Sequence, residues 1–148
     1  ENTVIESFNV KKLYPSTIEI KIKKTKLLAL TKSKNDFFYI GSNGKLIKSK
    51  LMDKSLPFVY GNFDNDEFIK TKKIIDNTTL NYNDIESFFF FPSKRIDLKL
   101  KNGILIKLPK KQVIKAINII NEIIENEKFE KIKIIDARIS DSIIINDR

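Results

Sequence analysis

The chain predicts an α+β fold, a mostly antiparallel β-sheet with two main covering helices and a C-terminal edge strand. Three observations predict it. Apolar and polar residues alternate with period two through Ile18-Glu19-Ile20-Lys21-Ile22, Ile96 to Leu100 and Ile104 to Leu108. Asn43-Gly44 and Lys101-Asn102-Gly103 sit between such runs as hairpin turns, because Asn-Gly supplies the positive φ that a tight turn demands. Two longer segments carry helical signals instead.

In chain order, Val4 to Lys12 predicts a strand, and Tyr14-Pro15-Ser16 turns it. Thr17 to Lys24 returns as its partner, and the apolar face of this hairpin needs a cover that nothing nearby in sequence supplies. Lys26 to Thr31 reads as an extended connection, with the most plausible domain boundary around Leu27 to Thr31. Phe37 to Ile40 and Lys45 to Ile47 flank a Gly41-Ser42-Asn43-Gly44 turn, and Leu56 to Gly61 is a short apolar segment ended by glycine. Asp64 and Glu67, three residues apart, form a capping pair for a helix from about Asn65 to Ile75. Asn77 to Asp84 reads as a polar loop or a break between short helices.

Ile85 to Phe91 contains four consecutive phenylalanines and has no period of its own. It reads as a strand buried on both faces or one bearing an aromatic ridge, with the core placement favoured. The clearest hairpin follows, Ile96-Leu98-Leu100 against Ile104-Ile106-Leu108. Pro109 suits the first turn of a second helix. In that helix Val113, Ile117, Ile120 and Ile124 make one apolar stripe, widened by Ile114 and Ile123. Ile132 to Ile139, a Ser140-Asp141-Ser142 turn and Ile143 to Asn146 complete the chain. Ile143-Ile144-Ile145 cannot all point to one side of a strand, so one of them faces outward or under a neighbour.

Composition narrows the chemistry. The 148 residues contain neither Cys nor His, which removes disulfides, thiolate catalysis and the commonest general base and metal ligand. No catalytic constellation, metal site or cofactor motif is expected, and no small-molecule substrate. Asp97 and Asp136 read as members of cross-strand ion pairs. The formal charge of +9 raises the alternative of a basic nucleic-acid-binding α+β domain. Against that alternative, the lysines alternate with isoleucines along strands, as on solvated sheet faces, and form no cluster with the aromatics Phe37, Phe38 and Tyr39. No run of about 18 apolar residues is present to span a membrane.

With these segments in order, the chain resembles the extracytoplasmic part of the bacterial FtsQ/DivIB family. Val10-Lys11-Lys12-Leu13-Tyr14-Pro15-Ser16-Thr17-Ile18-Glu19-Ile20 is similar to the hairpin that closes that family's POTRA domain. Phe38-Tyr39-Ile40 through Gly44-Lys45-Leu46-Ile47, Leu56-Pro57-Phe58-Val59-Tyr60-Gly61, and Lys94-Arg95-Ile96-Asp97-Leu98 through Asn102-Gly103 and Leu108-Pro109 resemble its later motifs, as Ile135-Asp136-Ala137-Arg138 resembles its final Asp-Leu-Arg strand. Lys24-Thr25-Lys26-Leu27, Ile96 and Ala137 depart from the family's Glu-Arg-x-Pro, Trp and Leu.

The resemblance implies a hairpin of a truncated POTRA domain over residues 1–28 and an FtsQ-like β domain over 29–148, with an upstream membrane helix anchoring the full-length protein. It implies a non-catalytic scaffold on the periplasmic side of the inner membrane, at the division septum. The implied partners are FtsB-like and FtsL-like proteins and other divisome components. Binding would proceed by β-augmentation on Ser142, Ile143, Ile144, Ile145 and Asn146, with Ile139 filling a partner pocket and Lys94, Arg95 and Arg138 meeting acidic partner residues.

Overall fold

A computed structural model describes residues 4–49, 53–126, 131–139 and 142–147. Strands β1 (Ile5–Leu13) and β2 (Thr17–Lys24) form an antiparallel two-stranded sheet of their own. Period two puts Phe8, Val10, Ile18, Ile20 and Ile22 on one face of it, and all five are more than half exposed. The remaining strands are β3 (Leu27–Ser33), β4 (Asp36–Gly41), β5 (Leu46–Ser49), β6 (Phe58–Gly61), β7 (Ile85–Phe90), β8 (Ile96–Leu100), β9 (Leu105–Lys107), β10 (Ile134–Asp136) and β11 (Ile144–Asn146). They make one nine-stranded sheet in the order β11-β10-β9-β8-β7-β6-β3-β4-β5.

Two helices support that sheet. In α1 (Asn65–Asp76) the Asp64 carboxylate accepts the Glu67 amide at 2.6 Å, which caps the first turn as the sequence spacing predicts. Helix α2 (Val113–Glu125) carries β9 back to β10, and those two strands pair in parallel, as a helical crossover requires. Five ladders of the large sheet are antiparallel (β3-β4, β4-β5, β7-β8, β8-β9 and β10-β11) and three are parallel (β3-β6, β6-β7 and β9-β10).

Register gathers the apolar residues into one row. Val59, Phe88, Leu98, Ile106, Ile135 and Ile145 face one another successively across six strands. The first five are at most 1% exposed, and α1 and α2 close over them with Phe68, Ile75, Ile117 and Ile120. Phe68 meets Phe88 edge-on at 5.5 Å. Each such side chain contributes roughly 1.5–3 kcal/mol by leaving water. The adjacent row, Tyr60, Phe89, Asp97, Lys107, Asp136 and Ile144, points away from the helices. The phenylalanines thereby divide, with Phe91 half-buried just beyond β7. Phe88 and Phe90 are core, and Phe89 stacks on Tyr60 with ring centres 5.2 Å apart.

Several sequence expectations are corrected. Lys26 to Thr31 is not a connection, because Leu27–Ser33 is the interior strand β3, with Ala29 and Leu30 buried. Pro109 does not sit in the first turn of α2, which begins at Val113 after Gln112 in the left-handed region at φ 54°. Ile114 does not widen the buried stripe and is 42% exposed, whereas Ile123 does pack on the core. The strand expected over Ile132 to Ile139 is regular only from Ile134 to Asp136, and its last bond to β9 is from the Ala137 amide to the Lys107 carbonyl. Ser140 and Asp141 of the expected turn lie outside the described residues.

Candidate protein-docking site

The last strand lies at the rim of the sheet, and its backbone directions follow from its neighbours. Leu105 donates its amide to the Lys133 carbonyl at 2.8 Å and Ala137 donates to the Lys107 carbonyl at 3.0 Å. Those bonds direct the Lys133 carbonyl and the Ala137 amide, on either side of β10, and with them Ile135, toward β9, so the alternate residues Ile134 and Asp136 face β11. Their register partners Ile144 and Asn146 face inward, and the Asn146 carbonyl also accepts the Lys133 amide at 3.0 Å, just outside the regular ladder. Ile145, between them, directs its amide and carbonyl to the side of β11 on which no strand of the described residues pairs. Its side chain meanwhile packs on the core, while Ile144 is 50% exposed.

Next to this edge, between the α2 start and the β10-β11 connection, is an open cleft of about 980 Å³. Leu108, Pro109, Ala116, Ile119, Ile139 and Ile143 give it an apolar lining. Arg95, Lys110, Lys111, Lys115 and Arg138 also line it, and no described lining residue is acidic. Charge on α2 differs from that on α1. Helix α1 has Asp66 and Glu67 in its first turn, as the helix dipole favours; α2 has no acid there and begins among lysines. Dipole and side chains thus add with one sign at the cleft.

The two arginines are held in place by carboxylates. Asp136 accepts Arg138 through both of its oxygens, with Nε at 2.8 Å from Oδ1, and this hydrogen bonding keeps the Asp136 carboxyl below its ordinary pKa. Lys107 Nζ stands 3.9 Å from the same carboxylate. Arg95 lies over the Phe91 ring, 3.7 Å from its centre, and its Nε is 3.1 Å from Asp97 Oδ1. That is ion-pair distance, yet neither of those two buried atoms makes an aligned hydrogen bond. Asp97 is 4% exposed, and burial pushes its carboxyl up against the opposing pull of Arg95, Arg138 and Lys107.

Of the residues expected from sequence, Arg95, Arg138, Ile139, Ser142 and Ile143 meet at the cleft, and Ile144, Ile145 and Asn146 form the edge strand beside it. Lys94 is directed elsewhere. Its Nζ is 3.4 Å from both Glu67 carboxylate oxygens on α1. Sequence reading missed Lys110, Lys111 and Lys115. The available signal was three cations crowded around a helix start that has neither a side-chain cap nor an acid.

The family model described as "Cell division protein FtsQ/DivIB, C-terminal" matches residues 29–138. Cell division protein FtsQ of Rhizobium meliloti (strain 1021) is 27% identical over 125 residues, covering 78% of this chain but only 38% of that protein, so the chain spans well under half of this relative's length. A solved structure of the major extracytoplasmic domain of the trans isomer of the cell division protein DivIB from Geobacillus stearothermophilus aligns with a TM-score of 0.47 at 16% identity, over 63% of this chain and 85% of that one. Because the family model runs from within β3 to Arg138, across most of the nine-stranded sheet, this chain belongs to the FtsQ/DivIB family of non-catalytic cell division proteins.

Proposed function

We propose that the chain is the extracytoplasmic docking part of a membrane-anchored divisome scaffold, and that it holds an FtsB-like coiled-coil protein, with its FtsL-like companion, by β-augmentation on β11. The observation that carries this reading is the outward backbone of Ile145 on the rim strand, directly beside an apolar cleft edged by five cations. A strand added to β11 gains main-chain hydrogen bonds from the Ile145 amide and carbonyl. The segment preceding it, if helical and acidic, lays apolar residues on Ile119, Ile139 and Ile143 and carboxylates against Arg95, Arg138 and the lysines. In this reading the β1-β2 hairpin belongs to a separate POTRA unit, which its own sheet and exposed apolar face support, and the expected boundary at residue 28 falls just inside β3.

The test is capture by an immobilised FtsB-type ectodomain from the same bacterium, comparing wild type with Ile145→Pro and Ile145→Ala. Proline removes the outward amide and leaves the β10 ladder intact, whereas alanine removes only the side chain. Binding is expected to be lost in the proline variant and kept in the alanine variant. Undiminished capture of a folded Ile145→Pro protein rejects augmentation at this edge.

A further inference from the structure

We propose that Asp97 is a positioning residue for partner binding: its buried carboxylate, 3.1 Å from Arg95 Nε and opposite Lys107 in the β8-β9 ladder, sets where the cleft arginines stand. The inference rests on the docking reading above and adds a control to it. Asp97 itself does not line the cleft, so a partner would meet it only through the guanidinium groups.

The geometry is a chain of alternating charge across three strands. Arg95 comes from the entry to β8, Asp97 from β8, Lys107 from β9, and Asp136 from β10 with Arg138 just beyond it. On the remaining side, β7 presents Phe89 opposite Asp97, an uncharged neighbour. Arg95 is thus fixed from two directions, by the Phe91 ring beneath it and by Asp97 at its Nε edge. With Nε at ion-pair distance from Asp97, though without an aligned hydrogen bond, the terminal nitrogens of a planar guanidinium are left to approach a partner carboxylate. A neutral residue at position 97 removes one of the two restraints. Without the Asp97 charge opposite it in the ladder, Lys107, already 3.9 Å from Asp136, is drawn further toward that carboxylate and competes with Arg138 for it.

This role gives binding a sign opposite to simple charge attraction. Asp97→Asn raises the net charge from +9 to +10, so long-range steering alone would make an acidic partner bind more tightly. Positioning predicts the reverse, with faster dissociation. It also predicts that wild-type binding weakens as falling pH protonates Asp97, whose burial moves that protonation above the ordinary carboxylate range. The Asp97→Asn protein should show no such step.

The experiment measures dissociation from the immobilised FtsB-type ectodomain for wild type, Asp97→Asn and Asp36→Asn, across the pH window in which the Arg95 Nε–H resonance of wild type titrates. Asp36→Asn makes the same charge change on β4, where Asp36 pairs with Lys48 far along the strand order. The expected result is dissociation on the order of tenfold faster for Asp97→Asn and no change for Asp36→Asn. Wild-type dissociation should quicken on acidification in step with the Arg95 resonance. Equal dissociation rates in wild type and Asp97→Asn, or a resonance that titrates without any change in dissociation, overturn the inference and leave the docking reading standing. Absence of capture by wild type at every pH removes the docking reading and this inference together. If Asp97→Asn does not fold, the wild-type comparison of resonance and dissociation decides alone.

Discussion

Ile145 stands opposite Ile135 in the outermost ladder, with its side chain toward the helix-covered core and its backbone toward the open edge. Ile144, one residue earlier, has the reverse arrangement. The two isoleucines therefore separate stability from docking. Ile145→Ala should cost about 1–2 kcal/mol of folding stability, less than for a fully buried site. Ile144→Ser should change stability by less than about 0.5 kcal/mol. If Ile144 flanks an added strand, the serine variant should nevertheless weaken capture of the ectodomain. Denaturant titration and the capture assay together distinguish these outcomes.

Arg138→Ala makes a comparable separation for charge. The Arg138 side chain is 40% exposed, so solvent screens its pair with Asp136 and losing that pair should change stability little. A desolvated contact between Arg138 and a partner carboxylate would be worth more, about 2–5 kcal/mol of binding. Binding should therefore fall by much more than stability. Equal effects on both would reduce Arg138 to an intramolecular ion pair.

Asp97 and Asp136 should also act on stability with opposite signs as pH changes. The folded-state pKa of Asp136 is lowered, chiefly by hydrogen bonding to Arg138, so its contribution is present above its unfolded pKa and is lost as pH falls through the folded value. The folded-state pKa of Asp97 is raised by burial, so its contribution is full below its unfolded pKa and is lost as pH rises through the folded value. Chemical denaturation from about pH 7 to about pH 4 should show wild type gaining stability relative to Asp97→Asn. Relative to Asp136→Asn, wild type should lose stability below the ordinary carboxylate range. Binding is expected to weaken over the interval in which Asp97 stabilises the fold, which a purely structural role would not produce.

How much of this was legible follows from the range of each interaction. The α1 cap was readable because Asp64 and Glu67 are three residues apart, and the β8-β9 hairpin because alternation and Asn102-Gly103 are local. Strand β3 was obscured because it lies inside the sheet and Ala29-Leu30-Thr31 is buried on both faces in succession, with no wet face there to impose alternation. The parallel β9-β10 ladder is a long-range pairing, and no local signal in either strand encodes it. Arg95, Arg138 and Ile139 came from the family resemblance. The lysines of the cleft did not, since only the fold brings residues 110–115 beside residues 138–143. The orientation of Ile144 and Ile145 was likewise undetermined by three identical side chains, and was decided by which β10 groups β9 had already taken.

Gly61 provides a final test, of how the sheet is held together on the other side of β7. Its φ is +97°, and a Cβ at this position would collide with the Phe90 carbonyl oxygen. The closeness has a role, since the next residue, Asn62, donates its amide to that same carbonyl at 3.1 Å. Any side chain at position 61 meets both an unfavourable backbone conformation and main-chain atoms that cannot rotate away. Gly61→Ala should therefore cost at least about 1–3 kcal/mol, more than its small volume suggests. The β6-β7 ladder should loosen first, because Gly61 and Phe90 are its terminal register pair. Hydrogen exchange should show faster exchange at Asn62 and nearby β7 amides, with β10 and β11 little changed. Unaltered protection at Asn62 in a Gly61→Ala protein of wild-type stability would show that the backbone can move aside there.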